Sequence, residues 1–224
     1  MRRSSPHGDA GVVSFAQILP LAFVMIAGPQ IVSAFFLATS DNWAKNSLAY
    51  ISGAALSITT VVSLAYFVAR GAKSAAGKEH SGTVDHVIDV IVLLLMLFLI
   101  VRVYVTRTRS APPKWMSKLQ TATPKFAFLL GAALLGIFPT DIASSIAAGL
   151  HVARHGAPWW QVLPFVGLTL FFLAIPSITV VVLGSRADVV LPKIRDWMNN
   201  NAWVINEVVL VFFALVTANS LVNG

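Results

Sequence analysis

LLGIFPTDIASS, residues 134–145, sets Pro139 and Asp141 near the centre of an apolar run that covers about 125–150. A helix of about 20 residues crosses the roughly 30 Å of hydrocarbon in a bilayer, and this run is long enough. Proline removes one backbone donor and displaces the carbonyl four residues earlier, so the helix is expected to break at Pro139. A charged side chain at mid-depth costs about 2.5–3.5 kcal/mol on insertion scales, so Asp141 should face the bundle interior. It reads either as a proton or cation site or as a cap on the half-helix that starts at Pro139.

The same pattern occurs once more. VMIAGPQIVSA, residues 24–34, carries Gly28, Pro29 and Gln30 at the centre of a run over about 13–38. Five further features of the chain extend the membrane reading. Apolar runs recur at about 46–70, 84–106, 160–184 and 202–222, giving six expected crossings, or five or seven if hydropathy merges or splits the first run. The 224 residues are 57% hydrophobic and 11% charged, against roughly 25% charged in a soluble domain, which leaves too little polar surface to cover a core in water. The six tryptophans, Trp43, Trp115, Trp159, Trp160, Trp197 and Trp203, all fall at run ends or in connections, as in an aromatic belt. Phenylalanines instead lie within the runs, as at Phe35, Phe36, Phe171 and Phe172. The first apolar run is too long for a signal peptide and is expected to remain as a helix.

The runs divide into two halves of three, 13–106 and 125–222, within one transmembrane domain spanning 1–224. A basic, proline-containing connection at 107–124 separates them. Because three is odd, the second half is upside down relative to the first. The expected fold is therefore an all-α membrane protein, with six helices in two inverted repeats and proline-broken helices one and four. Inverted repeats with broken helices meeting at the midplane are a recurrent transporter plan. The distribution of Lys and Arg leans toward both termini outside and the basic connection in the cytoplasm, in a plasma (inner) membrane. RADVVLPKIRDWMNN, residues 186–200, reads as a short interfacial helix with Val190, Ile194 and Trp197 on one side.

The candidate pathway residues are Gly28, Pro29, Gln30, Pro139, Thr140 and Asp141. Asp85 and Asp89 share a helix face at i,i+4, and Glu207 follows Asn206 in the sixth run. These three are secondary polar sites that also fit a solvated interface. Gly53 with Ser57 and Ala132 with Gly136 allow close helix approach. His151 and His155 read as an exposed pair rather than metal ligands. The chain has no cysteine, hence no thiolate chemistry and no Cys-based metal site. No HExxH, P-loop, GxSxG or dinucleotide motif occurs, so neither an enzyme nor a cofactor is expected. A net charge of +7 lies mostly between apolar runs, where anionic lipid accounts for it better than nucleic acid does.

Two stretches carry a family resemblance. GSRADVVLPKIRDWMNNNAWVINEVVLVFFALVTANSL (184–221) and ILPLAFVMIAGPQIVSAFFLATSDNWAKNSLAYISG (18–53) resemble the sulfolipid- and glycopeptidolipid-addressing membrane proteins, of the lysine-exporter superfamily. Arg186-Ala-Asp, Leu191 and Arg195-Asp196-Trp197 are the most distinctive part. Gly28-Pro29 stands where relatives often have Ser-Pro. Phe138-Pro139-Thr140-Asp141 stands where Asn-Pro-Lys-Asn is usual, so only the proline matches. The resemblance implies export or addressing of cell-envelope glycolipids, as transporter or as helper of a much larger lipid transporter. Other members of the superfamily imply an alternative, a proton- or cation-coupled exporter of amino acids or other small solutes. A non-transporting scaffold of an export complex is a third reading. Membrane lipids are the expected partners, and so small a bundle is compatible with a homodimer.

Overall fold

A computed structural model describes residues 15–26, 28–106, 119, 121–187, 189–194 and 211. These are helical almost throughout: α1 (Phe15–Ile26), α2 (Pro29–Ala38), α3 (Trp43–Thr106), α4 (Pro124–Ile137), α5 (Pro139–Arg154) and α6 (Leu163–Leu183). A 3-10 turn, Trp159–Val162, leads into α6, and another, Gly184–Arg186, follows it.

α3 packs most extensively along α4 and α5, α1 lies on α5 and α6, and α2 bridges α6 and α3. The interior is mostly aliphatic, with Leu21, Leu37, Ile58 and Leu135 fully buried beside Met25 and Phe165. The outside is apolar too. Leu56, Leu64 and Phe67 of α3, Ile137 of α4, and Phe171 and Val182 of α6 all stand exposed. In water each large aliphatic or aromatic side chain left out would forfeit about 1.5–3 kcal/mol of transfer energy. Hydrocarbon removes that cost, so the protein is a membrane protein.

Trp43–Ala75 and Trp159–Leu183 are long and apolar enough to cross a bilayer. Pro124–Ile137 and Pro139–Arg154, bent by 67°, make a third crossing if taken as one broken span. These match the expected second, fifth and fourth runs. The expected first run appears as α1 and α2, broken between Ile26 and Pro29. The sixth run (202–222), Glu207 within it, and nearly all of the basic connection lie outside the described residues. So do Trp115, Trp197 and Trp203. Trp43 and Trp159 lie at or next to helix starts, as the belt pattern requires.

One expectation is corrected. Runs 46–70 and 84–106 were to be separate helices joined by a connection, yet α3 continues unbroken from Trp43 to Thr106 over 64 residues. The physical reason is that no proline lies between Pro29 and Pro112. Ala, Lys and Glu in 71–83 offset the glycines there, and an isolated glycine costs a helix only about 1 kcal/mol. At 1.5 Å per residue such a helix is about 96 Å long, roughly three times the hydrocarbon thickness.

Candidate functional site

Both helix breaks are made by backbone chemistry rather than by capping side chains. Gly28 precedes α2 at φ 145 and ψ −148, a conformation close to glycine-only, and its side-chain-free Cα lets the chain turn. Pro29 then takes the first helical position of α2, where its missing N–H has no partner to lose. Phe138 is extended at φ −65 and ψ 128, as a residue before proline should be, and Pro139 opens α5. Proline alone does not dictate a break. Pro176 sits inside α6, which continues past it to Leu183.

The two new N-termini meet. Gln30, the second residue of α2, donates its Nε2–H to Oδ2 of Asp141, the third residue of α5, across 111 positions of sequence. Asp141 is fully buried and Gln30 is 2% exposed. Tyr50 of α3, also buried, donates its hydroxyl to the Gln30 carbonyl at 2.8 Å. The Ser145 hydroxyl reaches the Met25 thioether at 3.8 Å, tying α5 to α1. Four elements thus converge on one spot.

A carboxylate taken out of water is costly unless charge and hydrogen bonds compensate. Here the Gln30 amide provides one bond, and Asp141 stands in the first turn of α5, where the helix dipole favours negative charge. The start of α2 adds a second positive helix end. Compensation is incomplete. Gln30 Oε1, Asp141 Oδ1, Ser33 Oγ and Ser144 Oγ are buried without a hydrogen-bond partner. Ser33 and Ser144 lie one helical turn beyond Gln30 and Asp141, on the same faces.

The expected pathway residues therefore separate into two groups. Gln30 and Asp141 are brought together in the interior. Pro139 is exposed and Gly28, Pro29 and Thr140 are half-buried, so these shape the breaks without lining the buried centre. Asp141 is not the cap of α5, since Phe138 holds that position without a side-chain bond. Asp85 and Asp89 lie on α3, and nothing is described of their side chains. Tyr50, Ser33 and Ser144 were not singled out from sequence. A tyrosine inside an apolar run, two turns after Trp43, was the available signal for the first.

A second polar cluster sits at the α5–α6 connection. Lys73 donates to the Arg154 carbonyl at 2.8 Å, Arg70 to Gly156 at 3.2 Å and Tyr66 to Ala157 at 2.8 Å. Trp159 donates its indole N–H to Ser63 at 2.9 Å. Cations here meet the last carbonyls of α5, the negative end of that helix. His155 lies against His151 with ring centroids 4.4 Å apart; His155 is exposed as expected, whereas His151 is half-buried.

A family model described as Sap, sulfolipid-1-addressing protein, matches residues 18–221. The chain belongs to the Sap family. The match takes in both helix breaks, the full length of α3 and the Arg186-Ala-Asp stretch on which the resemblance rested. Comparison with curated proteins and with solved structures finds no match.

Proposed function

We propose that this Sap-family protein serves the export or addressing of cell-envelope lipids, glycolipids among them, either moving the lipid itself or assisting a larger lipid transporter. The observation that carries the reading is the family match over 18–221. The architecture supports it physically. An apolar exterior around a buried polar junction suits a cargo that is mostly hydrocarbon with a small polar head. The membrane in question is the plasma membrane, and both termini lie outside if the chain makes six crossings. A homodimer and a large lipid transporter are the partners to look for.

The pairing of α1–α2 with α4–α5 through Gln30 and Asp141 supports a relation between two halves. A six-crossing inverted arrangement would follow if α3 folds back within 71–83 in the bilayer. Deleting the gene and extracting surface and total lipids separately tests the lipid role. Surface glycolipid should fall while the total is maintained; unchanged surface lipid would end this reading.

The buried Asp141 favours a second reading, a cation- or proton-coupled exporter of small solutes. Asp141→Asn should then abolish export from cells while membrane insertion is retained. Normal export by that variant would remove the acid from any mechanism.

A further inference from the structure

We infer that the junction of the two helix breaks is a binding site for one monovalent metal cation, held by Asp141, Gln30, Ser33 and Ser144. This deepens the export reading by naming a coupling ion, and it rests on the same buried centre.

Gln30 Oε1, Asp141 Oδ1, Ser33 Oγ and Ser144 Oγ are all oxygens, all buried, and all without a hydrogen bond. One N–H of the Gln30 amide is committed to Asp141, Gln30 Oε1 and Asp141 Oδ1 are acceptors that have no donor, and each serine hydroxyl oxygen keeps lone pairs that can face a cation. A polar group left bare in a bilayer interior, where no water reaches it, is strongly disfavoured. Their placement is specific. Gln30 Oε1 turns back toward the break, because a Cβ on Gly28 would meet it at 2.9 Å. Asp141 Oδ1 is the sister atom of the oxygen that Gln30 holds.

Charge decides the class of ligand. Two helix N-termini alone would suit an anion, but Asp141 already supplies negative charge at that point. A second anion would lie against a buried carboxylate. One carboxylate with neutral oxygens matches a single positive charge; calcium recruits about six to eight oxygens, and magnesium keeps several of its waters, which a dry interior does not supply. Each break also ends an upstream half-helix, α1 at Ile26 and α4 at Ile137. The last carbonyls of a half-helix have no partner further along it, and such ends coordinate sodium in broken-helix transporters.

The test uses the full chain in lipid nanodiscs at constant ionic strength, with choline replacing the metal ion. Binding of radioactive sodium, and of rubidium as a potassium surrogate, is measured directly, so no lipid movement enters the readout. Expected is saturable binding of one of the two ions, at about one per chain. Asp141→Asn should abolish it, and Ser33→Ala with Ser144→Ala should weaken it by about 10–100-fold, the range seen when groups that support a metal site are removed. If Asp141→Asn does not fold, the serine double variant decides. Folded protein that binds neither ion, or serine and aspartate variants that bind as wild type does, would overturn the site and leave water or a proton as its occupant. Failure here leaves the lipid reading intact, since that stands on the deletion experiment.

Discussion

Gly53 of α3 and Gly131 of α4 lie where the two helix backbones touch. A Cβ on Gly53 would collide with the Phe128 carbonyl oxygen, and one on Gly131 with the Tyr50 carbonyl oxygen. The contact is reciprocal, each glycine accepting the other helix's main chain. Ser57 extends it one turn on by donating to the Ala132 carbonyl at 2.8 Å. In lipid, where the hydrophobic effect gives helices no reason to pair, close van der Waals contact of this kind drives association. The crossing also fixes Tyr50, whose hydroxyl holds the Gln30 carbonyl.

Alanine at either glycine should therefore separate the helices. Backbone cannot yield as a flexible side chain can, so Gly53→Ala and Gly131→Ala should each cost about 1–3 kcal/mol or more. Gly71 is the control, because nothing lies within 4 Å of a Cβ there. Gly71→Ala should be neutral or stabilising by up to about 1 kcal/mol through helix propensity. Thermal unfolding in mild detergent reads all three. Equal melting temperatures across the set would refute the close crossing.

The bond between Gln30 and Asp141 should show as energetic coupling. A hydrogen bond to a charged group contributes about 1.5–3 kcal/mol. Residues that share such a contact deviate from additivity by about 0.5–3 kcal/mol. A double-mutant cycle with Gln30→Ala and Asp141→Ala, followed by unfolding, measures the term. Additive losses would mean that the two residues act separately and that the halves are joined elsewhere.

Much of this geometry was legible because proline, glycine and charge carry strong local meaning. Pro29 and Pro139 marked both breaks, and the cost of a buried acid placed Asp141 inside. Gly53–Ser57 and Ala132–Gly136 announced a close crossing by spacing alone, though Gly131, which touches Tyr50, was not picked out. What sequence could not supply was the partner of each group. That Gln30 meets Asp141, or that Tyr50 reaches the Gln30 carbonyl, depends on how α2, α3 and α5 pack, which no local pattern encodes. The connection expected at 71–83 failed for a different reason. Hydropathy falls there, but falling hydropathy ends a membrane crossing and does not end a helix. Arg70 and Lys73 show the consequence, since they cap α5 from a helix that simply continues.

Gly28 permits a test of the first break alone. Its φ of 145 is rarely adopted by residues with a side chain, so Gly28→Ala should cost about 1–3 kcal/mol from backbone strain. The added methyl would also press on Gln30 Oε1 at 2.9 Å. Adding Gln30→Ala relieves the second effect and not the first. The double variant should therefore lose less than the sum of the two single losses, yet remain below Gln30→Ala. A double variant as stable as Gln30→Ala would show that the backbone at 28 carries no strain.

The course of α3 is open to a direct measurement, because the chain has no cysteine to compete with introduced labels. Thr60 and Val101 are both exposed on α3. Along one continuous helix the 41 intervening steps separate their backbones by about 60 Å. A fold-back within 71–83 would instead lay the two segments side by side, at helix-packing distance, and bring these positions within about 20 Å. Spin labels on Thr60→Cys and Val101→Cys, read by pulsed dipolar spectroscopy in nanodiscs, distinguish the two. The long distance is the expected outcome for the helix described here, and it would rule out six crossings, because segment 84–106 could not return through the same bilayer. The short distance would establish the antiparallel pair that an inverted three-helix half requires.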